Sequence, residues 1–509
     1  MTEDKPRYSN AKMNEARKKL RNRTRKFDPR QVVFQAIKHM DYRDAPKITL
    51  YPPHILLLLI ELTFRDWRDW PTTGRDVSED DFNDLRNRIV DLEPKTRMPS
   101  DYGSIPLFIK TVSYQQFYLQ ARLTRNRLAR PLLLYDALDP TAYITMRFNE
   151  LFAMPVQRFQ HLAAGFTLLM NSLPRHPPFA AASELHDVLE CDPAEVAKLM
   201  TTISLRFNEV GPFLCKKPDR YRSYDYDFRK ETTLTVRPVV QIGDHYYPYS
   251  VALLAYSLEH FVYDSLRENS PETFMAEFGT LFEKYVGCGL LQWGLKVLDE
   301  VQLRKMLPEG SKVVDYMVVG QGAVVLIDAK GVEMHHLARV SEKPEVVLHS
   351  LHNSIVKAIM QGNEVATHLR SSGTPELSKA ADLPWYLLVV TYKPMYLGNG
   401  RGVSRVLGET SMQHLTEQLG HNPAIPLAHV YFLSVDEFDD LTAAVQSTLS
   451  IADILKAAVD NDANPETAKW AFQQHLWSLE IRSPTPKHLD QRFERFADDL
   501  RLPANPRPP

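Results

Sequence analysis

Cysteine is scarce in this chain. Cys191, Cys215 and Cys288 are the three present in 509 residues, and they lie far apart. That spacing excludes a disulfide-built scaffold and any CxxC-type zinc site, and it suits a reducing cytoplasm. Glycine is sparse too, at 20 against 35 prolines. So few glycines argue against a large β-sandwich, a propeller or a glycine-rich nucleotide-binding protein. Long apolar runs are missing. The most apolar stretch, HILLLLI at 54–60, has six apolar residues, where a bilayer needs about 20. The first residues are charged and lack the apolar core of a signal peptide. No membrane partner is expected, and a cytoplasmic location is. Excess charge of one sign is absent as well: 61 Lys+Arg face 63 Asp+Glu, a net charge of -2. This excludes a wholesale polyanion binder but not a local nucleic-acid site.

What is present is ordinary globular material, 44% hydrophobic and 24% charged, long enough for two to four domains. Residues 1–30 read as a basic polar tail with eleven Lys/Arg against four Asp/Glu, a local charge of +7. Such an arm can hold a phosphate backbone, or simply be a solvated terminus. Residues 31–205 read as a helical domain. Ile55, Leu58, Leu59 and Leu62 repeat at helical spacing, as do Phe152, Val156, Phe159 and Leu162. No Asp or Glu occurs from 102 to 135. That stretch holds Lys110, Arg122, Arg125, Arg127 and Arg130 together with Tyr114, Phe117, Tyr118 and Tyr135. The four arginines are therefore nucleic-acid-binding candidates; a helix with a basic solvent face is the plain alternative.

Residues 206–270 read as a connector: a strand over 232–242, a turn at Gly243–Asp244, a second extended segment, and a helix from 251. Residues 271–445 alternate. A helix is expected over 272–291, strands over 295–303, 312–319 and 323–329, a long helix over 345–370, and strands at 385–391 and 430–434. This order predicts an α/β domain with an αβββαβ core and a mixed sheet. Residues 446–509 read as a helical segment with breaks, ending in a proline-rich tail.

The chemistry concentrates in VVDYMVVGQGAVVLIDAKG at 313–331. Asp315 falls in one apolar strand, while Asp328 and Lys330 end the next. The Gly320–Gly322 turn makes the two an antiparallel hairpin. Residues two apart on a strand share a face, so Asp328 and Lys330 project together and Asp315 can approach from the paired strand. Ionised groups on apolar strands are costly unless they pair or bind metal. The plain alternative is an Asp328–Lys330 surface ion pair.

The acid on one strand followed by acid-x-Lys on the next resembles the PD-(D/E)xK nuclease superfamily, the restriction-endonuclease-like fold. The residue before the first acid is Val314 where the motif has proline. Members often carry a further acid on the preceding helix, and FGTLFEKYV at 278–286 resembles that segment, pointing to Glu283. The resemblance spans roughly 271–435. It implies a Mg²⁺-dependent endonuclease acting on DNA, with Mn²⁺ able to substitute. Asp315, Asp328, Glu283 and the Ala329 carbonyl would hold the metal, and Lys330 would act on the attacking water. Lys357 and Gln361, one helical turn apart, would support Lys330 or contact phosphate. A helical half joined to such a domain resembles, by analogy alone, bacterial restriction or anti-phage defence effectors. Three alternatives stand beside this: a nucleic-acid-binding or assembly subunit with little catalysis, an RNA substrate in the same site, and a homodimer or protein partner.

Two other features carry less. His335, His336, His349 and His352 lack cysteine or acid partners at zinc-ligand spacing. GNGRG at 398–402 lacks the spacing of a phosphate loop and is expected to be a flexible loop.

Overall fold

The computed structural model describes residues 10–40, 52–66, 74–93, 105–216, 227–320, 322–372, 380, 382–407, 409–447, 449–464, 466–482 and 485–500. The chain divides into two compact units, Met1–Leu266 together with Glu494–Pro509, and Arg267–Phe493. The first is mainly helical and the second contains a mixed five-stranded sheet. No helix among the described residues is long and apolar enough to cross a membrane.

In the first unit the expected polar tail is folded from residue 10. Asn10–Thr24 is a helix that buries Met13 and Leu20. Two of its arginines are paired with acids elsewhere in the unit: Arg17 lies 3.1 Å from Asp227, and Arg23 lies 2.9 Å from Asp81 and 2.7 Å from Asp84. Residues 1–9 lie outside the described residues. The arginine patch is also partly turned inward. On the Arg125–Asp136 helix, Arg130 is buried and paired with Glu259, and Arg127 Nε is 3.7 Å from the same carboxylate. Arg127 and Arg130 are therefore core ion-pair residues rather than a nucleic-acid-binding face. Lys110 is buried as well. A stretch free of acids finds its acid 129 residues further along the sequence.

Four short strands form a small sheet in this unit: β1 (Ala180–Ala181), β2 (Ser204–Arg206), β3 (Val239–Ile242) and β4 (His245–Pro248), in the order β1-β4-β3-β2. The expected hairpin is present, but its first strand begins only at Val239. Thr233–Val236 is a 3₁₀ turn, closed by Thr232, whose hydroxyl accepts from the Leu234 N–H at 3.2 Å.

The second unit opens with the Pro271–Leu291 helix. Its sheet follows the order β5-β6-β7-β8-β9, with β5 (Lys296–Asp299), β6 (Tyr316–Gly320), β7 (Ala323–Lys330), β8 (Trp385–Thr391) and β9 (Val430–Ser434). The β5–β6 and β6–β7 pairs are antiparallel, and β7–β8 and β8–β9 are parallel. Every residue of β8 and β9 is buried, as continuous apolar runs in a sheet covered on both faces should be.

At three places this unit departs from the sequence pattern. β5 ends at Asp299, because Asp299 caps a short helix, Glu300–Arg304, by accepting from the Gln302 N–H at 2.9 Å. The long helix is broken into Pro344–Leu351, a π-turn at His352–Val356, and Lys357–Ser371. GNGRG is not a flexible loop: Gly400–Leu407 is helical, and Asn399 Oδ1 accepts from the Gly402 N–H at 2.8 Å.

Candidate metal centre

The Pro271–Leu291 helix is anchored by an aromatic stripe. Phe274, Phe278 and Phe282 recur every four residues, with Tyr285 one turn on, and all are buried. Phe278 and Phe282 both pack edge-on against Tyr392, just past β8. Glu283 follows the stripe and stands half-buried at its margin. The helix is drawn onto β6 by Tyr316, whose hydroxyl donates to the Glu283 carbonyl at 3.1 Å. Gly287 makes that approach possible, since a Cβ there would sit 2.4 Å from the Tyr316 oxygen.

Asp315 sits one residue ahead of β6 rather than inside a strand. The last β6–β7 pair is Tyr316–Ile327, and beyond it Asp315 Oδ2 accepts from the Ala329 N–H at 2.6 Å. A side chain thus extends the ladder by one step where backbone pairing stops. Asp328 is fully buried, and Lys330 Nζ lies 2.9 Å from its Oδ1 and 2.8 Å from its Oδ2. The Asp328–Lys330 pair is therefore not a surface ion pair.

Carboxylate oxygens of Glu283, Glu300 and Asp315 all lie within 4.8 Å of one another. Among the described residues this is the one such group of three His, Cys, Asp or Glu donors. The resemblance implied Glu283 beside Asp315, whereas Glu300 was not among the expected residues. The available signal was the D-x-x-Q capping pattern at 299–302, which ends the strand and places Glu300 in a helical first turn. Asp328 stands beside the triad, and its charge is felt by Asp315 and Glu283. Of the two supporting residues, Lys357 acts electrostatically on Asp328. Gln361 does not reach Lys330: its Nε2 donates to the Val313 carbonyl.

Burial dominates the electrostatics. It pushes the Asp315 carboxyl up to about 7, assisted by the neighbouring Asp328 charge and opposed by the Ala329 N–H and Lys330. Glu283 is raised by burial and then by Glu300. Asp328 is also raised, because its desolvation outweighs the adjacent ammonium.

Three carboxylates with no sulfur or imidazole suit a hard divalent cation. Opposite oxygens around Mg²⁺ lie about 4.2 Å apart, twice the ~2.1 Å Mg–O distance, so small rotations of these side chains would close on one ion. The histidines do not join them. His335 and His336 lie against each other at a tilt, 4.2 Å between ring centroids, and His335 Nδ1 accepts from the Leu337 N–H at 3.4 Å. Compared with known proteins, the chain matches no family model, no curated protein and no solved structure.

Proposed function

We propose that the second unit is a metal-dependent endonuclease of the PD-(D/E)xK kind that hydrolyses phosphodiester bonds of DNA. The observation that supports this best is the Glu283–Glu300–Asp315 triad, within 4.8 Å, beside the buried Asp328–Lys330 pair. Glu283, Glu300 and Asp315 would hold Mg²⁺ or Mn²⁺, with Asp328 and the Ala329 carbonyl approaching from β7. Such a cation, when bound, lowers the pKa of a coordinated water and offsets charge on the phosphate.

The chain's own residues supply the rest. Lys330 is fixed by Asp328, so its remaining N–H donors point away from that carboxylate, available to orient a water or a phosphate oxygen. Lys357 adds a second positive charge facing Asp328. Of the four candidate arginines, Arg122 and Arg125 are the proposed contacts for the nucleic-acid backbone. The first unit would bind substrate, recognise a partner or regulate cutting, as in restriction-like or antiviral defence effectors. Three free thiols, Cys191, Cys215 and Cys288, suit a reducing cytoplasm. RNA in place of DNA, and a homodimer, are separate outcomes of the same assays.

The test is cleavage of plasmid and single-stranded DNA with Mg²⁺. Lys330→Ala and Asp328→Ala are expected to slow it by roughly 10²- to 10⁴-fold. Unchanged cleavage in both would place the site elsewhere. Binding of DNA by the wild type without cleavage in Mg²⁺ or Mn²⁺ would favour a binding or assembly subunit.

A further inference from the structure

Lys357, Gln361 and Glu364 stand at i, i+4 and i+7 on the Lys357–Ser371 helix and so share one face. All three act on the chain that carries the carboxylates. Lys357 acts on Asp328, Gln361 Nε2 donates to the Val313 carbonyl, and Glu364 Oε2 lies 3.5 Å from Lys312 Nζ. The Lys312–Glu364 pair is exposed and contributes little. The amide–carbonyl bond is the firmer tie. It reaches a stretch, residues 311–314, that belongs to no helix or strand. No regular ladder therefore fixes where Asp315 enters β6.

The helix is aimed by the π-turn at His352–Val356 immediately before it. One extra residue in a turn rotates the subsequent helix by roughly 100° relative to an unbroken one. Without that insertion the stripe of Lys357, Gln361 and Glu364 would face away from residues 312–315.

We propose that Gln361 is a positioning residue: through the Val313 carbonyl it holds the Asp315 carboxylate against the Ala329 N–H. That this carboxylate then serves a metal rests on the function proposed above, whereas the positioning does not.

The experiment is amide hydrogen exchange at Ala329 in the full chain without added metal. Gln361→Met keeps the side-chain length and loses the N–H donor. Exchange at Ala329 is expected to accelerate about tenfold or more, while Val325 and Ile327 on the same strand stay as in the wild type. Gln361→Lys, which restores an N–H donor, is expected to recover the protection. Unchanged exchange at Ala329, or equal acceleration along all of β7, would overturn the proposal. If Gln361→Met does not fold, Gln361→Glu provides the same comparison, being of equal length and without the donor. Mg²⁺ titration of the wild type separates the two readings. Failure to bind Mg²⁺ would count against the nuclease while leaving the exchange result to decide the role of Gln361.

Discussion

Arg130 comes from a stretch of sequence without acids, yet its guanidinium is buried against Glu259. Two charges out of water hold only while both remain, since removing one leaves the other desolvated. Glu259→Ala is expected to destabilise the first unit by about 3–5 kcal/mol, read from urea unfolding. Arg130→Met combined with Glu259→Leu should cost much less, because apolar replacement of both partners is often near neutral. A loss below about 1 kcal/mol for Glu259→Ala would mean that water reaches the pair. Lys110 is a second inward charge. Burial alone pulls its ammonium down to about 7. Between that value and its unfolded value of about 10.4, the unfolded chain holds a proton the folded chain lacks. Stability therefore rises with pH across this window. Lys110→Met is expected to flatten the rise relative to wild type in thermal unfolding between pH 7 and 10. An unchanged slope would show that Lys110 is protonated in the fold.

At the scale of elements, β7 and β8 were legible because continuous apolar runs bounded by Gly, Pro and charge admit few other structures. The hairpin turn at Gly322, with a positive φ of 90°, was legible for the same reason. What sequence could not show was how elements end. β6 starts late because the Asp315 side chain replaces a backbone partner, and β5 stops early because Asp299 caps a helix. Both endings bear on the candidate centre, and the second is why Glu300 was missed. The inward arginines were missed because their acid is remote in sequence. The approach of the Pro271–Leu291 helix to β6 gives an element-scale prediction. A methyl at Gly287 would meet the Tyr316 ring and hydroxyl, so in Gly287→Ala either that ring or the helix must shift. Overpacking of this kind costs about 1–3 kcal/mol. With the helix shifted, Glu283 would retreat from Asp315 and Glu300, so calorimetric Mg²⁺ affinity should fall beyond what the stability loss explains. Normal Mg²⁺ affinity in a Gly287→Ala variant with a lowered Tm, together with normal affinity in Glu283→Gln, would separate Glu283 from the centre.

For the whole molecule, a net charge of -2 conceals local arrangements of opposite sign. In the first unit, several basic residues of the 10–24 helix and of the acid-free stretch are paired with internal acids, as with Arg17, Arg23, Arg127 and Arg130. In the second, three carboxylates gather, of which Glu300 is paired with Arg304 on its own helix, beside a fourth that is paired with Lys330. Composition is an average and cannot separate these. The succession of helices and strands and the D-x-K pattern were readable, while the ligand set depended on side chains that the fold brings together from three separate elements. The measurement that tests the central claim most directly is the single-turnover rate of supercoiled plasmid nicking with saturating Mg²⁺, wild type against Asp315→Asn. A metal-dependent nuclease centred on Asp315 predicts nicking by the wild type, its loss on chelation, and at least a hundredfold slower rate in the variant. Equal rates for the two proteins would contradict it.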